Sequence, residues 1–248
     1  MKNKVLLAGV LAALLTLPSY AQVAAGGGRY DQQVQQSAQT ALAKDKRFAD
    51  VKSQIEDGIV TLTGSVKLFA DKEDAAHKIH KIDHLGGVIN KIEVTGSVPD
   101  EKLGNDLARK LTYDRIGYDV RYNFFTIRVK DGIVTLDGDV LDYPARDSAL
   151  GIASHMVGVK EVVDNVRVAP TSFFDDDIRI RVSRAIYRDP VLSRLAIDPA
   201  APIRIIVNNG KVKLYGTVSS ESMKSIAGIR ANGVTNVFSV ENNLTVGK

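Results

Sequence analysis

Three of the four histidines could form a metal site. His77, His80 and His84 are spaced by three and four residues, which places them on one face of a predicted helix. Neutral imidazoles in this arrangement can bind zinc or copper, and they can also act as a pH-sensitive patch. The alternative is an ordinary solvated helix face. The histidines are therefore weak metal candidates, and the sequence predicts no cofactor.

A predicted helix at roughly residues 175–188 carries arginines beside an apolar stripe. Arg181, Arg184 and Arg188 lie next to the stripe that includes Ile178. Anionic phospholipid headgroups attract such basic residues, with about 1 kcal/mol for each one near the membrane. The alternative is a solvated face whose arginines pair with nearby acids. The three arginines are the leading candidates for lipid binding.

Positions 113–125 interleave five aromatic residues with two arginines. Tyr118 and Tyr122 are the candidates here for contact with lipid or with a protein, because amphipathic aromatics are common at both kinds of surface. The alternative is that the aromatics pack the loop and begin the strand that follows. Positions 99–170 carry ten basic and twelve acidic residues, so we expect no nucleic-acid partner.

The sequence has no pattern typical of a catalytic centre. No serine lies in a nucleophile-elbow motif, and no glycine-rich loop has the spacing of a phosphate-binding site. The chain also has no cysteine, which excludes disulfides, thiolate metal sites and cysteine nucleophiles. We therefore expect a binding protein rather than an enzyme.

Three near-copies of one sequence motif, called the phrase below, recur along the chain that must position these residues. The phrases begin at Asp57, Asp131 and Asn209, which are 74 and 78 residues apart. A repeat of this length indicates one small domain in three tandem copies. Without disulfides, each copy must be held together by apolar burial, which is marginal at roughly 70 residues.

Each phrase predicts a β-hairpin. An Asp-Gly or Asn-Gly pair tolerates the positive φ that a two-residue turn needs, and apolar residues alternate on both sides of it. A second glycine lies inside the second strand of each hairpin, where we expect a bulge or the close approach of a helix. The structural glycines are Gly58, Gly64, Gly132, Gly138, Gly210 and Gly216.

Amphipathic helices are predicted on both sides of each hairpin. The first lies at roughly 31–44, 100–113 and 175–188, and the second is followed by a closing strand. The order helix, strand, strand, helix, strand predicts an α+β fold of three tandem small modules. Each has two helices on one face of a three-stranded mixed sheet. The predicted modules are 29–97, 100–169 and 173–247.

The first residues have the pattern of a secretory signal peptide. Lys2 and Lys4 precede an apolar run at 5–17, and small residues lead to a cleavage position near Ala21. The run has 13 residues, against the roughly 20 that a membrane-spanning helix needs. We expect residues 1–21 to be removed and the protein to be periplasmic.

Positive charge is concentrated in the third repeat. Positions 22–98 carry ten basic and ten acidic residues, whereas positions 171–248 carry eleven and seven. The third repeat therefore stands at +4, and an uneven field of this kind can select an anionic partner.

The phrase, its second glycine and the closing strand resemble the BON domain (bacterial osmotic-shock-resistance and nodulation). The second repeat matches best, through Asp131, Gly132, Gly138, Gly158, Val159, Val162, Asn165 and Val168. The first repeat departs at His84, Leu85 and Lys91, and the third departs at Asn236. The resemblance implies an exported envelope protein that binds phospholipid surfaces or acts in envelope stress.

An anionic phospholipid membrane surface is thus the leading predicted partner, bound mainly through the third repeat. The alternative is a periplasmic scaffold that holds another envelope protein through sheet edges or through the aromatics of the second repeat. Binding of a small cation or metal is a third hypothesis.

Overall fold

The structure is a chain of three modules with the same order of elements. The computed structural model describes residues 28–114, 120–198, 200 and 202–247, so the predicted signal peptide lies outside the described residues. Each module runs helix, strand, strand, helix, strand, which confirms the predicted α+β fold of three tandem modules. None of the helices in the described ranges is long and apolar enough to cross a membrane.

The three modules divide the described helices and strands as follows. The first contains α1 (Asp31–Ala43), β1 (Val51–Glu56), β2 (Ile59–Val66), α2 (Phe69–His80), β3 (Gly87–Asn90) and β4 (Glu93–Val94). The second contains α3 (Asp100–Thr112), β5 (Phe124–Lys130), β6 (Ile133–Val140), α4 (Tyr143–Ser154) and β7 (Glu161–Val168). The third contains α5 (Phe173–Tyr187), β8 (Ile203–Asn208), β9 (Lys211–Val218), α6 (Glu221–Asn232) and β10 (Ser239–Val246).

Each sheet has the second hairpin strand at its centre. The hairpin strands pair antiparallel, and the closing strand pairs parallel to the central one, so the sheet is mixed. In the first module the closing strand is split into β3 and β4, and both pieces pair with β2. The parallel pairing requires a crossover, which is the second helix of each module.

Each module has its own hydrophobic core. In the second module Val134 and Leu136 of β6 are buried against Leu103 and Leu107 of α3 and Ala149 of α4. The residue between Val134 and Leu136 points to the other face of the sheet, because side chains alternate along a strand. Equivalent separate clusters fill the first and third modules.

The first and second modules each bury one aromatic side chain in the core of the next module. Phe69, the first residue of α2, is buried in the cluster of the second module. Tyr122 lies in a short 3-10 helix that precedes β5, and it is buried in the cluster of the third module. Each neighbouring pair of modules is therefore linked by a side chain of the earlier module that packs in the core of the later one.

A carboxylate at the start of each first helix holds the hairpin turn. Asp175 accepts the backbone N–H of Asn209 at 2.9 Å and that of Gly210 at 2.8 Å. Both turn residues have positive φ, 50° and 73°, as the turn type requires. Asp31 and Asp100 accept equivalent bonds from the other two turns. The first helix and the hairpin are thereby locked together.

The second glycine of each phrase is required by the neighbouring strand rather than by a helix. A Cβ on Gly138 would lie 2.0 Å from the carbonyl oxygen of Phe124, and φ at this glycine is +149°. Gly64 and Gly216 meet the equivalent carbonyl at 2.0 and 1.9 Å. These glycines are therefore required because another backbone segment lies too close for a Cβ. That segment is the start of the first hairpin strand, and not a helix.

Side-chain caps start the second helix in the second and third modules. The Asp142 side chain accepts the N–H of Ala145 at 2.9 Å, with proline in the first turn of α4. In the third module the hydroxyl of Ser220 accepts the N–H of Met223 at 3.2 Å. Each bond satisfies an N–H that the helix itself leaves without a partner.

We predict that Asp175→Ala destabilises the third module by about 2–4 kcal/mol, because it leaves the turn N–H groups of Asn209 and Gly210 without an acceptor at a largely buried site. Hydrogen exchange of amides in β8 and β9 measures the free energy of opening for this module. Asp177→Ala is the matched control, since Asp177 is exposed on the same helix, and we expect a change within about 0.5 kcal/mol. Equal effects of the two substitutions would contradict the role assigned to Asp175.

We further predict opposite effects of alanine at two glycines of the second module. Gly138→Ala places Cβ against a backbone carbonyl and should cost about 3 kcal/mol or more. Gly151→Ala in α4 meets no atom within 4 Å and should stabilise by about 0.5–1 kcal/mol. Urea denaturation followed by circular dichroism compares the two. A loss of stability at both positions would refute this distinction.

Candidate lipid-facing surface

Helix α5 carries arginines that were predicted to bind lipid, and it presents them on the outside of the third module. Its inner face is fully buried through Ile178, Val182 and Ile186, which pack in the core against β8 and β9. With 3.6 residues per turn, the opposite side of the helix faces solvent. Arg184 on that side and Arg188 at the helix end are both exposed.

The same outer face also carries apolar side chains. Phe173 at the first position of α5 is 90 % exposed, and Ile180 two turns later is exposed as well. A spacing of seven and four residues sets Phe173, Ile180 and Arg184 in one stripe along the helix. The exposed face therefore combines an apolar end with a basic end.

Two more phenylalanines enlarge the apolar end. The ring of Phe174 is exposed and lies 6.4 Å, centroid to centroid, from that of Phe238, which is 72 % exposed. The N–H of Phe238 donates to the carbonyl of Gly210 at 2.9 Å, which fixes this residue beside the third hairpin turn. We call Phe173, Phe174 and Phe238 the phenylalanine cluster. Contiguous exposed apolar groups of this kind mark interaction sites on soluble domains.

Two of the three acids near the start of α5 form ion pairs within the helix. Asp177 forms an ion pair with Arg181, and Asp176 forms one with Arg179. The Arg179 guanidinium is buried and also donates to the carbonyl of Val207 at 2.7 Å. Arg181 therefore fits the alternative that the sequence left open, in which an arginine pairs with a nearby acid.

Arg184 and Arg188 differ from Arg181 in this respect. Within the part of the chain that the structure describes, no carboxylate lies within ion-pair distance of either side chain. They are four residues apart, so their charges project from neighbouring turns of α5. These two arginines are the ones available to an anionic partner.

The helix is held rigidly behind this surface. Asp189, just after α5, accepts from Arg230 of α6 at 2.7 Å, and this hydrogen bond holds the pKa of Asp189 below its usual range. The Tyr187 hydroxyl donates to the carbonyl of Ile203 at 2.8 Å. Burial raises the pKa of Tyr187 to about 12, so it remains a neutral donor at physiological pH.

Of the two tyrosines predicted in the second repeat, Tyr122 does not join this surface. Tyr122 is 8 % exposed and packs in the core of the third module, and this burial argues against a lipid contact. Tyr118 falls in 115–119, outside the described residues. The neighbouring Arg121 donates to the hydroxyl of Ser183 at 3.3 Å, and its guanidinium lies 5.8 Å from the centre of the Tyr187 ring. This segment connects modules.

The histidines do not share one helical face. Helix α2 ends at His80, so His84 lies outside it, with a φ of +64°. The His84 ring stacks on Tyr30 at 3.9 Å between centroids. His77 and His80 remain on α2 and are exposed. Among the described residues, no three His, Cys, Asp or Glu side chains are grouped so that they could hold a metal ion.

The phenylalanine cluster was not predicted from the sequence. A signal was present for Phe173, since helical spacing from the buried Ile178 places it on the outer face of α5. Phe238 gave no such signal, because its position beside the turn depends on the parallel pairing of β10 with β9.

Comparison with protein families identifies all three modules as the same domain. The family model described as "BON domain" matches residues 30–96, 100–170 and 175–248. Each match spans one set of helix, two strands, helix and closing strand. No curated protein matches the chain at a significant level.

Two solved structures of CdsD, a structural protein of the type III secretion system of Chlamydia trachomatis, are similar in part. The C-terminal domain of CdsD is 12 % identical, and the match covers 86 % of this chain and 96 % of that one, with a TM-score of 0.25. The second structure is 13 % identical over 86 % and 91 % of the two chains, also with a TM-score of 0.25. So low an overlap supports no argument about this chain.

We predict that Tyr122→Ala destabilises the third module by about 2–4 kcal/mol, since it removes a large side chain from that core. Hydrogen exchange in β8 should report the loss. Tyr113→Ala is the control, because Tyr113 is exposed just after α3, and it should change little. A stable Tyr122→Ala protein with reduced lipid binding would instead support a surface role for Tyr122.

Proposed function

This chain belongs to the BON domain family, with three domains in tandem, and on that premise we propose that it binds anionic phospholipid surfaces through the outer face of α5. The observation that supports this most is the presence of the phenylalanine cluster and of Arg184 and Arg188 on one exposed face. Interfacial helices combine apolar burial with attraction of basic residues to anionic lipid in the same way.

The magnitudes indicate weak, salt-sensitive binding by this surface. Two arginines contribute about 2 kcal/mol at an anionic membrane, at about 1 kcal/mol each. That is too little for stable attachment, so apolar contact by the phenylalanine cluster must supply a comparable part. The net charge of +4 in the third repeat, which includes these two arginines, also gives a longer-range attraction, which salt screens over about 8–10 Å.

We propose that this binding takes place in the periplasm after export, in keeping with the signal-like residues 1–21. A role in protecting the envelope under osmotic or other stress follows from the family resemblance. The proposal includes no catalytic step. The chemistry of the surface is adhesion by charge and apolar contact.

A periplasmic protein-interaction scaffold is the second candidate. Phe173 and Phe238 are largely exposed, and such aromatics are enriched at protein interfaces as well as at membranes. In that case a protein partner would bind the phenylalanine cluster with little dependence on anionic lipid. The vesicle experiment below separates the two candidates.

We predict that the protein co-sediments with vesicles of phosphatidylglycerol and phosphatidylcholine at low salt, and less at moderate salt. Arg184→Ser combined with Arg188→Ser should lower the affinity about 10- to 30-fold, from about 1 kcal/mol per arginine. Phe173→Ser combined with Phe238→Ser should also lower it, with little change in the salt dependence. The measurement is the bound fraction against lipid concentration.

The matched control removes two positive charges from the second module. Arg128 and Lys130 are exposed on β5, and Arg128→Ser with Lys130→Ser changes the net charge by the same amount. We expect this control to bind nearly as well as the unmodified protein. The proposed surface would be refuted if the Arg128 and Lys130 control lost as much affinity as the Arg184 and Arg188 variant. It would also be refuted if the unmodified protein bound pure phosphatidylcholine vesicles as well as it binds the anionic ones.

A further inference from the structure

A groove of about 820 Å³ runs between α3 and α4 on the helix side of the second module. Its floor is apolar: Leu103 and Met156 are buried there, and Ile152 is half-buried. Val157 continues the apolar lining beyond the end of α4 and is exposed. A volume of this size lies within the range of small-molecule sites, which are mostly apolar with a few polar groups.

Small residues of α4 keep the groove open. A Cβ on Gly151 would meet no atom within 4 Å, and the neighbouring Ser148 turns its hydroxyl to Asp114 at 2.6 Å. Helices α4 and α6 correspond residue for residue, with an offset of 78. In α6 the two positions are Ile226, which packs against the core, and Ile229. Ile229 is 68 % exposed. The two helices thus differ in side-chain size at these positions, and it is α4 that carries the small residues.

The rim of the groove is basic. Lys102, Arg109 and Lys110 of α3 line it together with a single aspartate, Asp106. Asp106 is bonded to Lys102 and Arg109, and the hydrogen bond from Lys102 holds the pKa of Asp106 below its usual range. Over the described ranges, Lys110 has no ion-pair partner. The α3 rim thus carries three positive charges against one negative charge.

From this apolar floor and basic rim we propose that the groove binds one molecule of a single-chain anionic amphiphile. The hydrocarbon chain lies on Leu103, Ile152 and Met156, and the anionic headgroup contacts Arg109 and Lys110. Fatty-acid carboxylates and lysophospholipid phosphates share this chemistry. The site lies in the second module and does not rest on the vesicle-binding surface proposed for α5.

Isothermal titration calorimetry of the full chain tests the proposal, with each ligand kept below its critical micelle concentration. The anionic probes are dodecanoate and a 12-carbon lysophosphatidylglycerol, and dodecyl maltoside is the uncharged probe. We expect one molecule of an anionic probe to bind per chain, at least tenfold more tightly than the maltoside. The stronger of the two anionic probes identifies the headgroup class.

Gly151→Leu should fill the groove and weaken binding of the anionic probes by tenfold or more. Ser225→Leu is the matched control, because it adds the same side chain at an exposed position of α6, and it should bind normally. Arg109→Gln with Lys110→Gln should remove the preference for anionic probes, and this arm stands even if Gly151→Leu fails to fold. Absence of binding at a one-to-one ratio, or normal binding by the Gln variant, would overturn the proposal.

The two proposed sites fail separately. Gly151→Leu should leave vesicle co-sedimentation unchanged, and Arg184→Ser with Arg188→Ser should leave calorimetric binding of dodecanoate unchanged. If the α5 variants alone abolish binding of dodecanoate, the groove is not its site.

Discussion

The bond between the carboxylate of each first helix and the hairpin turn is the contact on which each module depends. It supplies an acceptor for turn N–H groups, of which that of Gly210 is buried, and it places a negative charge at a helix N-terminus, where it is favoured. It also fixes how the helix is rotated on the sheet. Once Asp175 is bound to its turn, Ile178 and Val182 must face the core, and Phe173 and Arg184 must face solvent.

Because the first helix is fixed on the sheet in this way, its solvent-facing residues can differ between the three modules. Counting from Asp100 and Asp175, Lys102 and Asp106 of α3 correspond to Asp177 and Arg181 of α5. Both pairs form an ion pair one turn apart, but with the charges exchanged. Since exposed pairs of this kind contribute little to stability, such exchanges change the surface without disturbing the fold. One module can therefore present an aromatic and basic face while its neighbour presents a groove.

Features that depend on nearby residues could be predicted from the sequence, and features that depend on distant contacts could not. The hairpins and the exposed Arg184 follow from local spacing. The end of α2 before His84 does not, because that histidine leaves the helix to stack on Tyr30. The burial of Tyr122 could not be predicted either, since the core in which it packs belongs to the next module.

The aromatic links between modules give the chain a direction. The first module contributes Phe69 to the core of the second, and the second contributes Tyr122 to the core of the third. Each of the first two domains thus supplies a side chain to the core of the domain that follows it, and no core depends on a domain that comes later in the chain. Shortening the protein from its C-terminal end would leave every remaining interior whole, whereas shortening it from the N-terminal end would open a void in what is left. Such a polarity suits a polypeptide whose N-terminal part emerges and folds first.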